Sequence, residues 1–237
     1  FRSSTYQGEA DFRGSTYQSW VNFICSTYQG EVYFNISTYQ DEVHFDSSTY
    51  QNWAAFSDST YEKEVIFSAP IFCSTYQNKV YFSDSTYQSW ADFRGSTYQD
   101  KTDFSGSIFY QEIYFGEDGY NSFSLFTDYV PQFYDETNRK NTLFGSPDNN
   151  FTVENGRGYP IYHNLEGLPL GCKFLTSEQK EYLADKFQEI EKINNELLEI
   201  KDNKEKARLS DTLRSLKKEL DVWRERVTTV KVEGTTS

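Results

Sequence analysis

The chain contains no methionine, five prolines, two histidines and three cysteines. Each scarcity narrows the reading. The sequence has no initiator residue, and it opens inside a repeat, because Phe1-Arg2-Ser3-Ser4 matches Phe12-Arg13-Gly14-Ser15. We read it as a piece of a longer protein with more repeats upstream, so the lack of a leader carries little information about targeting. Cys25, Cys73 and Cys172 show neither CxxC nor paired spacing, which argues against a disulfide framework and fits a reducing compartment such as the cytoplasm. A zinc site needs more ligands than these. No apolar run approaches the roughly 18–20 residues that span a bilayer. His44 sits beside Phe45 at an outward repeat position and His163 lies in a loop, neither with a partner at catalytic or metal spacing. Gly156-Arg157-Gly158 lacks the third glycine of a dinucleotide fingerprint, and no G-x-S-x-G or phosphate loop occurs. Asn35-Ile-Ser and Asn150-Phe-Thr fit a glycosylation pattern short enough to arise by chance. We expect no catalytic residue, metal or cofactor, and no enzyme activity.

What is abundant is aromatic: 20 Phe and 19 Tyr in 237 residues, with hydrophobic residues at only 37%. Repetition explains it. An eleven-residue unit, S-T-Y-Q-x-x-(A/V)-x-F-x-x, starts at Ser4, Ser15, Ser26, Ser37, Ser48 and Ser59. After an insertion, Pro70-Ile71-Phe72-Cys73, it resumes at Ser74, Ser85, Ser96 and, degenerate, Ser107. Each unit has two halves in which a small residue stands two before an aromatic, as Ser4 with Tyr6 and Ala10 with Phe12. No 3.6-residue period fits this spacing. A short strand, small-in, polar-out, aromatic-in, fits each half, with Gly14, Gly30, Gly95 and Gly106 in the corners. Stacked coils would place Phe on Phe and Tyr on Tyr. Inward tyrosines must satisfy their hydroxyls, either by hydrogen bonds inside or by reaching a corner.

Ser-Thr-Tyr-Gln-Gly-Glu-Ala-Asp-Phe (4–12) resembles the aromatic variants of the pentapeptide-repeat family. The resemblance spans residues 1–117 and implies coils of four faces. Two eleven-residue units would give a coil longer than the family's four five-residue faces, and Trp20, Trp53 and Trp90, recurring every third unit, are compatible instead with three units per turn. The expected fold is mainly β: a right-handed quadrilateral β-solenoid over 1–117, a cap and loop-rich connector over 118–175, and an α-helical hairpin or coiled coil over 176–237. Within the connector, about 118–135 is expected to cap the open solenoid edge.

In the last segment Thr176 and Gln179 resemble a capping box. Leu183, Phe187, Ile190, Ile193 and Leu197 make one apolar stripe. Leu209, Leu213, Leu216, Leu220, Trp223, Val227 and Val230 make a second, in 4-3 spacing. A hairpin turning near Asp202–Asn203 competes with one continuous helix. The second stripe serves either a partner, such as a second copy in a homodimer, or the first stripe.

The net charge is −13, and residues 1–115 carry 14 acidic and 6 basic side chains. Direct nucleic-acid binding by a basic patch is therefore not expected. The carboxylates, among them Glu9, Asp11, Glu31, Glu42, Glu64, Asp92, Asp103 and Glu112, follow the repeat as a solvated outer face or a charged wall. Trp20, Tyr33, Trp53, Tyr81, Trp90 and Tyr114 share those outward positions and are the candidate interaction surface. The leading expectation is a non-catalytic scaffold or protein-interaction module, a rigid acidic rod with a helical association segment. The alternative, implied by the resemblance, is a DNA-mimicking binder of a DNA-binding enzyme such as a topoisomerase.

Overall fold

The two halves of each repeat are both short strands, and every second half-pair returns to the same side of the coil. In the computed structural model, which describes residues 1–67, 73–116, 122–154 and 156–230, this yields four parallel sheets of two-residue strands. Face A stacks Thr5–Tyr6 on Thr27–Tyr28, then Thr49–Tyr50, Thr75–Tyr76, Thr97–Tyr98 and Leu125–Phe126. Face B begins with Ala10–Asp11, face C with Thr16–Tyr17 and face D with Val21–Asn22. Register confirms two units per turn: Thr5 pairs with Thr27 and Val21 with Val43. Three units per turn is thereby excluded, and Trp20 and Trp53 precede strands on different sheets. The step is 22 residues, and 26 across the insertion. Most of that insertion, Pro70-Ile71-Phe72, and residues 118–121 of the expected cap lie outside the described residues.

Inward aromatics stack into four ladders. Tyr28 lies 5.1 Å from Tyr50, and Tyr50 4.7 Å from Tyr76, with planes within 4° of parallel. Phe34 stacks on Phe56 at 5.1 Å, while Phe45 meets Phe56 edge-on at 5.0 Å. Offset stacking along each ladder and edge contacts across the core are the two favourable ring geometries, each worth about 0.5–1.5 kcal/mol beyond burial. This explains how so little aliphatic side chain builds a core.

The inward serine has its own function. On faces A and C the strand amides donate backwards, as Thr27 N–H to Ser4 O at 2.8 Å. The serine N–H at the corner instead donates to the serine hydroxyl one coil ahead, Ser26 to Ser48 Oγ at 3.2 Å and Ser59 to Ser85 Oγ at 3.2 Å. That hydroxyl donates onward to a carbonyl, as Ser48 Oγ to Phe23 O at 3.1 Å. An alanine there would leave a buried N–H unpaired. Gly30 meets a different demand: a Cβ would lie 2.4 Å from the Gly8 backbone in the coil before.

The tyrosine hydroxyls are satisfied unevenly. Tyr39, Tyr50 and Tyr61 each donate to the carbonyl five residues earlier, at 3.4 Å. Tyr76 is fully buried and, among the described residues, its hydroxyl has no hydrogen-bond partner. Removing an unpaired buried hydroxyl relieves its desolvation cost. Tyr76→Phe is therefore expected to stabilise the protein by about 1–2 kcal/mol, whereas Tyr61→Phe, which forfeits a hydrogen bond, is not. Urea denaturation of the two variants distinguishes them, and a destabilised Tyr76→Phe would contradict the account.

The stacking continues beyond residue 117. Phe126, Phe133 and Phe144 extend three ladders at 4.7, 4.9 and 5.6 Å, and Phe151 lies 6.2 Å beyond Phe115 on the fourth. Lys173–Phe174 adds one more strand beside Leu143–Phe144.

Residues Leu175–Val227 form a separate compact unit. Helix α1 (Ser177–Glu199) starts at a capping box, in which Gln179 N–H donates to Thr176 Oγ1 at 3.2 Å and Thr176 N–H to Gln179 Oε1 at 2.9 Å. Helix α2 (Asn203–Thr228) starts where Asp202 accepts from Glu205 N–H at 2.8 Å. Ile200–Asp202 is the turn between them, so the segment is a hairpin, not one helix. Near its open end Tyr182 stacks on Trp223 at 4.9 Å and donates to Glu219, which also pairs with Lys186 at 3.2 Å.

Candidate interaction surfaces

Outward residues follow from register. Those on face B and face D differ from those on faces A and C in chemistry, and this divides the solenoid surface.

On face B, Tyr33, Ala55 and Tyr81 occupy successive rungs. Trp53 stands edge-on to both tyrosines, 5.0 Å from Tyr33 and 5.7 Å from Tyr81. The small Ala55 leaves the room, and is itself buried at 2% exposure. Arg13 lies over the Tyr33 ring at 4.4 Å and pairs with Asp11, whose carboxyl is held at about 2, chiefly by hydrogen bonding to that guanidinium. The Tyr33 hydroxyl donates to Glu31, which pushes its pKa up to about 12. Charge along this face is uneven: Glu9, Asp11 and Glu31 outweigh Arg13 before Trp53, whereas Lys79 and Lys101 stand with Asp103 after it.

Face D holds the other predicted aromatics, spread out. Trp20 is 52% exposed and its ring meets His44 at 6.0 Å. His44 bridges two carboxylates, Glu42 at 2.6 Å and the buried Asp46 at 3.3 Å, and its pKa is raised, Asp46 first among the causes. Trp90 and Tyr114 lie further along the same face, with Arg94 over Tyr114 at 5.5 Å and paired to Asp92 at 2.7 Å. The six predicted aromatics therefore do not form one patch. Tyr33, Trp53 and Tyr81 converge; Trp20, Trp90 and Tyr114 belong to the opposite sheet.

Sequence reasoning passed over faces A and C. Their outward residues are the threonine before and the glutamine after each inward tyrosine, with Glu62 in place of glutamine after Tyr61 on face C. The strands there carry almost no charge. The signal was present in the repeat itself, which keeps Thr and Gln where other outward positions vary.

The second helical stripe is largely covered. Leu216, Leu220 and Trp223 are buried, and Leu209, Leu213 and Val227 are half-buried. On α1, Leu183, Ile190 and Ile193 are buried.

Cys25 and Cys73 are exposed thiols at corners, whereas Cys172 is buried and its thiol is pushed up to about 12 by burial. His163 lies in an open cleft with Tyr114, Asp148 and Phe151. Among the described residues, no three His, Cys, Asp or Glu side chains converge as a metal would require, and no helix is long and apolar enough to cross a membrane. The 22-residue parallel stacking with aromatic ladders is compatible with pentapeptide-repeat architecture. No protein-family model matches the chain, and no curated protein or solved structure is significantly similar to it.

Proposed function

We propose that this chain is a non-catalytic scaffold of the pentapeptide-repeat type that binds a protein partner through face B. The observation that carries the reading is the Tyr33–Trp53–Tyr81 cluster seated over Ala55. Preassembled aromatics flanked by charge are the usual energetic centre of a protein interface. Ring-to-ring contact fixes these side chains before binding, which lowers the entropy cost of association. Uneven charge along the face, acidic before Trp53 and mixed after it, would orient a partner.

The DNA-mimic reading is weaker on the same grounds. Face D presents Glu42, Glu64 and Glu112, but Trp20 and Trp90 interrupt that row, and Arg94 neutralises Asp92. The test is affinity capture on the immobilised chain, followed by competition. Trp53→Ala is expected to release the captured partner while Glu64→Gln retains it. Capture indifferent to Trp53→Ala sinks the face B reading. Release by duplex DNA, with Glu64→Gln impaired, would favour mimicry instead.

A further inference from the structure

Face A has no counterpart in that reading. Its outward threonines, Thr5, Thr27, Thr49, Thr75 and Thr97, form one unbroken row in strict register. The glutamine two residues after each threonine is exposed on every rung, and every threonine is at least partly exposed. No Asp, Glu, Lys, Arg or aromatic side chain projects from these strands, since the tyrosine between Thr and Gln points inward. The core does not require this choice. The inward serine and tyrosine hold the coil, and at the variable positions of faces B and D the fold accepts Glu, Trp, Lys, Asp or Tyr.

We propose that face A is an ice-binding surface. Three properties point to an ordered lattice of water. The first is spacing: the tyrosine rings behind face A stack at 4.7–5.1 Å, and the threonines pair rung to rung in parallel register, where neighbouring strands lie about 4.7–4.9 Å apart, close to the oxygen repeat along the a axis of ice. The second is rigidity. Threonine is stiff at χ1, and each strand is fixed from behind by a stacked ring, so hydroxyls and methyls are held in a row before the ligand arrives. The third is neutrality. A charged side chain would bind its own hydration shell and disorder the lattice, and this face has none. The alternatives fit less well. Nucleic acid needs cations, and protein interfaces draw on aromatics and arginine; face A offers neither. Its glutamines add neutral donors and acceptors beside the threonine row.

The experiment uses the whole chain in dilute buffer with ice itself as the probe, reading crystal shape, thermal hysteresis and the rate of ice recrystallisation. The wild type is expected to facet ice crystals and suppress recrystallisation. Thr49→Lys, placed mid-row, should abolish both, and Thr49→Val, nearly isosteric and kept as a variant that folds, should weaken them. Glu31→Gln on face B should change neither. Wild-type protein that leaves ice crystals as round discs overturns the proposal, as does equal loss in Glu31→Gln. Light scattering on the same samples covers the remaining outcome: if Thr49→Lys dissociates an oligomer and ice is unaffected, face A is a contact between copies and the proposal fails. Capture of a partner through Trp53 is scored separately, so either result stands without the other.

Discussion

Phe56→Ala is expected to cost about 3–5 kcal/mol, the range for emptying a large aromatic site in a packed core. Phe56 is fully buried at the middle of its ladder. It stacks on Phe34 and Phe82 at 5.1 and 5.2 Å and meets Phe45 and Phe67 edge-on at 5.0 and 5.2 Å. Removing it breaks a ladder and unpairs both neighbours across the core. The rings on either side are held by backbone pairing and cannot close the gap. Position should matter, because each coil of a solenoid is supported only by its neighbours. Phe12→Ala, at a half-buried position, should cost less. Urea denaturation followed by circular dichroism measures both. A loss below about 1 kcal/mol at Phe56 would mean that the ladders do not form the core.

The parts of this structure legible in the sequence are those dictated by one repeating local choice. Ser-x-Tyr and Ala-x-Phe, separated by six and then five residues, required inward aromatics on short strands, and the solenoid follows. What was not legible depended on departures from that repeat. Phe126, Phe133, Phe144 and Phe151 continue the ladders, but loops of unequal length stand between them, so no period marks them. The six outward aromatics looked alike in the sequence, yet two units per turn sends Tyr33, Trp53 and Tyr81 to one sheet and Trp20, Trp90 and Tyr114 to the opposite one. Only Tyr33, Trp53 and Tyr81 meet, because Ala55 happens to be small. Corner geometry was also hidden. Cys25 and Ile36 adopt positive φ of 57° and 59°, where Gly14 stands in an equivalent corner, and side chains rarely accept that conformation. The threonine–glutamine rows were in plain view as outward polar positions, but polarity alone does not distinguish a solvated edge from a patterned one.

Trp223→Ala is expected to cost the helical hairpin about 3–5 kcal/mol, and this outcome distinguishes two roles for its leucine stripe. Seen as sequence, Leu209 to Val227 served equally as a dimer seam or as an internal core. In the fold Trp223 is 8% exposed and stacks on Tyr182 at 4.9 Å, with Leu220 and Leu216 buried one and two turns before it. A residue already covered within its own chain contributes to folding at any concentration. A residue covered by a second copy contributes only where the dimer forms. The prediction is therefore a drop in hairpin stability that is the same at low and high protein concentration, read by thermal melting at the helical circular-dichroism band. Leu209→Ala, at a half-buried site beside the turn, should cost less. If the loss at Trp223 instead grows with protein concentration, the stripe's principal contact is intermolecular, and the hairpin is an association device in addition to its own core.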